Sequence, residues 1–446
     1  MQLYNKLSAS ERAELIDQSG KQRLTLSFYT YSNIINPQLF RNQLFMSWQP
    51  LDVLGRIYVA TEGINAQLSL PADQFYAFKD TLDAYLFMQN IRLNVAVEHN
   101  DHSFLKLTIK VRHKIVADGL NDDSLDVTNI GIHLKANEFN KLLENPATIV
   151  VDMRNHYESE IGHFLGAITP DVETFRESLP IIEKQLANHK EDKNILMYCT
   201  GGIRCEKASA YFKNKGFKNV YQLEGGIIEY TRQIKEEGLE SKFIGKNFVF
   251  DQRLGERITS DIIAKCHQCG TPCDDHTNCV NDGCHLLFIQ CPSCQKKMEN
   301  CCSNDCKAII SMPLVDQVIL RKGANKGNMI FRKGKSDKLV NNDSTDFIET
   351  KISPKNPKIT VKKVLIGKGL HYFPKPQVGL FSVDNHTISI GDKALICGPT
   401  TGEQCHTISK MLVNGSELDT AKIGDKISFV VPFIVRSSDK LFLIKE

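Results

Sequence analysis

Apolar and polar residues alternate along residues 23 to 30, Arg-Leu-Thr-Leu-Ser-Phe-Tyr-Thr, with the two-residue period of a half-buried strand. A helical stretch follows near 37 to 49. Two more strand patterns, Arg56-Ile57-Tyr58-Val59-Ala60 and Ala66-Gln67-Leu68-Ser69-Leu70, flank a turn at Glu62-Gly63-Ile64-Asn65. A second helix at about 72 to 86 and a strand pattern near 104 to 111 complete a βαββαβ order. That order is a split βαβ, so residues 20 to 118 are expected to form a ferredoxin-like, acylphosphatase-like α+β domain.

Residues 119 to 134, with Gly119, Gly131 and several Asn and Asp, read as a linker. From 136 onward helices alternate with short, continuously apolar runs: Thr148-Ile149-Val150-Val151, Ile195-Leu196-Met197-Tyr198 and Val220-Tyr221-Gln222-Leu223. Such runs are buried parallel strands, and the alternation predicts a doubly wound α/β domain over 136 to 240. A cysteine-rich module is expected over 241 to 310 and an irregular basic linker over 311 to 360. From 361 to 446, strand-length runs punctuated by Gly391-Asp392, Asn414-Gly415 and Gly424-Asp425 predict a small β-barrel.

A chain of 446 residues exceeds one hydrophobic core, which agrees with several domains. With 41% hydrophobic and 24% charged residues it is globular in composition. The first residues are not an apolar leader, and no run approaches eighteen apolar residues, so neither export nor a membrane span is expected and a cytoplasmic location follows. Reduced thiols then make the 14 cysteines metal ligands or catalysts rather than disulfides. The net charge of +3 is small, but residues 321 to 363 hold twelve Lys or Arg against four acids, a distribution suited to RNA or to a solvated linker.

The sharpest chemistry lies at Tyr198-Cys199-Thr200-Gly201-Gly202-Ile203-Arg204-Cys205, where an apolar strand meets a glycine turn and a helical pattern. A thiol there faces the unpaired amides of a helix N-terminus, which favour its anion. Gly201 and Gly202 let the backbone curl into an anion-binding nest. Arg204 is placed to steady the loop or an anion, and Cys205 is either a second, resolving thiol or a packing residue. Asp152 and Arg154 read as a structural ion pair at a strand end, and His163 as a hydrogen-bonding histidine.

Ten cysteines fall within residues 266 to 306. Cys266-x-x-Cys269 and Cys291-x-x-Cys294 stand 21 residues apart, the pattern of paired knuckles that close a tetrathiolate site. Cys273, His276, Cys279, Cys284, His285, Cys301, Cys302 and Cys306 are enough for a second. Zinc at one or both sites is the leading expectation, with an iron–sulfur cluster as its rival.

The Cys199–Arg204 loop resembles the active-site loop of rhodaneses, in which four residues also separate Cys and Arg. Asp152-Met153-Arg154, Glu158, Gly162-His163-Phe164, Gly166-Ala167-Ile168 and Val220-Tyr221-Gln222-Leu223-Glu224-Gly225-Gly226-Ile227 look like the flanking segments of that domain. Thr61-Glu62-Gly63-Ile64-Asn65, Cys199 to Ala208, Phe248-Val249-Phe250-Asp251 and Cys266-His267-Gln268-Cys269-Gly270 stand in the order found in the oxygen-dependent tRNA uridine hydroxylases. That resemblance implies 5-hydroxylation of the wobble uridine of tRNA, molecular oxygen and an unidentified electron donor as co-reactants, and Cys199 as the active-site residue. The alternative is a sulfurtransferase that carries a persulfide on Cys199. Residues 361 to 446 resemble the small β-barrel of collagenase-like peptidase-family RNA hydroxylases, an extension that the tRNA uridine hydroxylases typically lack. The barrel would serve RNA holding or act as a cap.

Overall fold

The computed structural model describes residues 7–120, 128–321, 362–373, 377–398, 402–433, 435–436 and 439–445. Most of the predicted basic linker, from residue 322 on, lies outside them; its first residues form the helix Leu314–Arg321. The chain divides into two compact units, residues 1–345 and 346–446.

The first unit begins with the helix Ala9–Ser19, capped by reciprocal Ser8 and Glu11 hydrogen bonds and ended by Gly20 in the left-handed region. A five-stranded sheet follows, in the order Asn94–Val95, Arg23–Tyr31, Gly63–Pro71, Leu54–Ala60, Leu107–Val111. Leu26, Phe28, Ile57, Val59, Ala66 and Leu68 face the helices Pro37–Trp48 and Phe75–Asp83, whose Phe45, Trp48 and Phe78 complete the core. The sheet corrects one expectation. The strand that closes the split βαβ beside Arg23–Tyr31 is the short Asn94–Val95, whereas the pattern near 104 to 111 becomes a fifth strand, parallel to Leu54–Ala60 on the other edge.

The second domain has a parallel sheet in the order Ile132–Leu134, Asn219–Leu223, Asn194–Tyr198, Thr148–Asp152. Its first strand lies in the segment read as a linker: only three residues long and edge-placed, it carries too little apolar pattern to betray itself. Along the central strand Leu196 and Tyr198 pack with the helices Ala136–Leu143 and Gly226–Glu237, while Ile195 and Met197 pack with Phe175–Leu186 and Ile203–Asn214. Helices on both faces make the domain doubly wound. Phe243–Asn247 then pairs with Gly162–Phe164 at its rim and leads into the cysteine-rich region, which holds the hairpin His276–Asn278/Leu287–Ile289 and the helices Pro292–Met298 and Asn304–Ile310.

In the second unit the expected barrel is a curled eight-stranded sheet, half of a barrel, whose core includes Ile366, Phe381, Ile396, Ile427, Phe429 and Leu441. Its central strand, Lys362–Phe373, pairs antiparallel with both Val378–Ser382 and Lys440–Lys445, with a register shift on each side that bends it.

Candidate active site and metal centres

The parallel strand Asn194–Tyr198 delivers Cys199 to the carboxyl edge of its sheet, and the helix Ile203–Asn214 starts four residues on. Gly202, at φ +100°, makes the turn, and its amide donates to Cys199 Sγ at 3.2 Å. Its positive φ favours glycine, and a Cβ there would stand 2.8 Å from the Tyr29 hydroxyl, so a larger residue would also have to displace that side chain. Cys199 is 0% exposed. Burial pushes its thiol up, but this is outweighed by the hydrogen bond from the Cys205 thiol, the Arg204 guanidinium and the amides of Arg204 and Cys205, which hold it at about 6. Cys205 is driven the opposite way by its own burial and by the neighbouring Cys199 sulfur, so it keeps its proton and is the donor of the pair.

The carbonyls of the same loop are held from the other side. Ile227 N donates to Cys199 O at 3.0 Å and Ile228 N to Thr200 O at 3.2 Å, using free amides at the start of the helix Gly226–Glu237. Gly226, at φ +67°, leaves no room for a side chain: a Cβ would meet Thr200 O at 2.5 Å and Cys199 O at 2.6 Å.

Arg204 is committed to the loop rather than open to an anion. Its Nη1 and Nη2 bond the two oxygens of buried Glu158 at 2.7 and 2.8 Å, and Nη2 also reaches Thr200 Oγ1 at 3.2 Å. Asp152 and Arg154 form the predicted kind of structural pair: both are fully buried, Tyr198 donates to Asp152 at 2.7 Å, and Arg154 also caps Gly162 O. His163 Nδ1 hydrogen-bonds Ser159 O at 3.1 Å.

A cavity of about 840 Å³ adjoins this loop. Cys199, Thr200, Gly201, Ile203 and Arg204 line one side, and the polar face of the N-terminal sheet, including Ser27, Tyr29, Arg56, Tyr58, Asn65 and Gln67, lines another. Phe248, Val249 and Phe250 contribute from the segment after Asn247. The volume is within the range of small-ligand pockets, roughly 300–1,000 Å³. Across the domain boundary Tyr31 donates to Ile203 O, Tyr29 to Glu206 at 2.9 Å, and buried Lys207 to Glu62 at 2.6 Å. These N-terminal residues were not singled out from the sequence. Their signal was the period-two placement of Ser27, Tyr29, Arg56, Tyr58, Asn65 and Gln67 opposite the apolar core positions.

The structure sorts eight of the ten clustered cysteines into two groups, Cys266/Cys269/Cys291/Cys294 and Cys279/Cys284/Cys302/Cys306, each with its sulfurs within 4.8 Å of one another. Cys269–Cys291, Cys284–Cys302 and Cys302–Cys306 sulfur separations of 3.6, 3.7 and 3.7 Å match the edge of a tetrathiolate, about 3.8 Å for metal–sulfur bonds of about 2.3 Å. Amides also support the sulfurs: Cys291 N donates to Cys266 Sγ at 3.3 Å, and the Asn281 side chain to Cys306 Sγ at 3.3 Å. The donor set therefore fits a tetrahedral metal at each group. Cys273 and Cys301 lie outside both. Cys301 is buried with its carbonyl held by Gln268 and Gln290, and Cys273 packs in the apolar cluster under the first group.

Among the described residues no helix is long and apolar enough to cross a membrane. Residues 23–115 match the UPF0176 acylphosphatase-like domain, residues 135–233 the rhodanese-like domain, and residues 244–307 the family described as rhodanase C-terminal. The tRNA uridine(34) hydroxylase of Photorhabdus laumondii is 52% identical over 334 residues, covering 75% of this chain and 95% of that protein. Those of Pectobacterium carotovorum and Yersinia pestis are 53% and 54% identical over 334 residues, again 75% of this chain and 94% of each relative. With more than half of the residues identical over nearly the whole length of these relatives, the chain belongs to the tRNA uridine(34) hydroxylase family.

Proposed function

We propose that this protein hydroxylates C5 of the uridine at position 34 of tRNA, with Cys199 as the catalytic thiolate and molecular oxygen and a two-electron donor as co-reactants. The family gives the reaction class. The residue assignment rests on one observation: a sulfur held near pKa 6 lines a cavity large enough for a nucleotide. A base paired or stacked in an anticodon would have to swing out to reach it, as in other enzymes that act on nucleobases. The thiolate adds to C6 of the pyrimidine ring, which makes C5 electron-rich, and the C–S bond breaks again when the C5 proton leaves after oxygen has entered, returning the free thiolate. One oxygen atom then enters the ring and the other leaves as water, which accounts for the two electrons drawn from the donor.

The Thr200–Ile203 loop, with Gly201 and Gly202 at its turn, brings the Gly202 amide onto the sulfur, Arg204 positions that loop through Glu158, and Cys205 stabilises the anion by donating a hydrogen bond from its thiol. The two cysteine groups would hold zinc as structural staples, since four thiolates and no open ligand position leave the metal nothing to bind or activate. A tRNA substrate supports a cytoplasmic site of action.

Nucleoside mass spectrometry of tRNA from a deletion strain tests this reading. The 5-hydroxyuridine-derived wobble nucleosides should disappear, return with the wild-type gene, and stay absent with Cys199→Ala. Loss of thiolated uridine with hydroxylation intact would establish the sulfurtransferase instead, and hydroxylation by Cys199→Ala would remove Cys199 from the chemistry.

A further inference from the structure

Eight arginines of the first unit, at positions 12, 23, 92, 154, 204, 232, 253 and 257, each have a carboxylate within salt-bridge distance. Arg56, Arg112 and Arg176 are exposed and, among the described residues, have none; the same holds for Lys110. These four are not scattered. The parallel register sets Arg56 opposite Thr108 and Tyr58 opposite Lys110, so Arg56, Tyr58 and Lys110 share the polar face of the sheet. Arg112, two residues past Lys110, has its guanidinium 5.6 Å from the centre of the Tyr58 ring. Arg56 and Tyr58 line the cavity beside Cys199, and Arg176, from the second domain, lines it too. Three acids also line it. Asp251 and Glu256 share Arg253, one cation for two carboxylates, and Glu173 has no cation among the described residues.

Uncompensated cations grouped around a cavity beside a half-buried aromatic ring are what a nucleic-acid backbone requires: guanidinium forks for phosphate oxygens and a ring face for a base. We infer that Arg56, Lys110, Arg112 and Arg176 form a clamp for the RNA phosphodiesters on either side of the nucleotide that enters the cavity. This inference rests on the tRNA reading above and adds the surface that holds the RNA. It is separate from the basic segment after residue 321.

The test is the salt dependence of binding. A fluorescent anticodon stem-loop with an unmodified uridine 34 is titrated with the full chain at several KCl concentrations, using wild type and the triple variant Arg56→Gln/Arg112→Gln/Arg176→Gln. Each phosphate that is no longer neutralised lowers the slope of log K against log salt by about 0.7 for single-stranded RNA, so the slope should fall by about 2 and the affinity at ~0.15 M salt by tens-fold. The matching triple lysine variant, which keeps the charge, should recover most of the slope, and an unchanged melting temperature excludes misfolding as the cause. In turnover the glutamine variant should raise KM far more than it lowers kcat.

An unchanged slope in the glutamine variant overturns the clamp, and hydroxylation retained alongside it would leave the reaction standing. Arginine-dependent binding by a protein that leaves uridine 34 unhydroxylated would overturn the reaction and keep the clamp. A wild-type chain that does not bind the stem-loop overturns the clamp together with the tRNA reading.

Discussion

Arg204 and Glu158, 46 positions apart in the chain, meet in a two-pronged ion pair with Nη1–Oε1 and Nη2–Oε2 distances of 2.7 and 2.8 Å. Both side chains are nearly or fully buried, at 9% and 0% exposed. Removing one partner strands the other charge in a dry interior, which costs about 3–5 kcal/mol. Glu158→Ala should therefore lower the unfolding free energy in urea by that amount and abolish turnover, because Arg204 and Thr200 lose the anchor that sets the loop. A loss under ~1 kcal/mol would show that the pair is not a keystone of the domain.

The ionisation of Cys199 sets a pH profile. Its folded pKa of about 6 lies below the usual thiol value, so the reactive thiolate is depleted as pH falls through 6. Under single-turnover conditions the rate should rise from pH 5 to 7 and level off above. The Cys205 hydrogen bond is the strongest of the lowering influences, so Cys205→Ala should move the acidic limb to higher pH, whereas Cys205→Ser, which keeps a donor, should move it less. A rate indifferent to pH between 5 and 7 would contradict an attacking thiolate at this site.

Two glycines with similar backbone angles should respond differently to alanine. At Gly226 a methyl group would press on two carbonyl oxygens of the active loop at 2.5 and 2.6 Å, while at Gly216, φ +87°, nothing lies within 4 Å. Gly216→Ala should cost about 1–2 kcal/mol of left-handed strain with activity preserved. Gly226→Ala should abolish activity and lower the melting temperature further. Equal behaviour of the two would mean that the approach of Gly226 to the loop carries no functional weight.

Metal analysis should find two zinc ions per chain. Cys266→Ser or Cys306→Ser should each remove one ion or weaken it severely, while Cys273→Ser and Cys301→Ser should retain both, because those two sulfurs stand outside the tetrathiolate groups. Iron with sulfide in the purified protein would replace zinc with a cluster, and a metal lost with Cys273 would redraw the ligand set.

The Cys199 loop was legible because it is local. Strand, glycine turn and helix start follow one another within a dozen residues, and each leaves its own mark in the pattern. The Cys266/Cys269 and Cys291/Cys294 knuckles were legible for the same reason. What escaped was decided by long-range packing. Glu158 is a lone acid in a short helix, and nothing near it in the chain points to Arg204. The two-residue strand Asn94–Val95 is too short to alternate, and the clearer pattern near 104 to 111 masks it. The share of each cysteine in the two groups depends on how the hairpin and helices fold back, which is why Cys273 and Cys301 could not be told from the eight that cluster. The cavity wall was half visible: the alternation marked a polar sheet face, but only the packing of two domains shows that it looks onto Cys199.

The eight metal-ligating candidates interleave along the chain, with the first pair of one group, then of the other, then the second pair of each. The stretch of chain that the first group closes thus contains Cys279 and Cys284, and the stretch that the second closes contains Cys291 and Cys294. Capturing either ion draws the arms of its neighbour together and shortens the search that remains for the second, since the entropic cost of closing a loop grows with its length. Assembly of this region should accordingly be concerted, with half-loaded molecules scarce at any point of a titration.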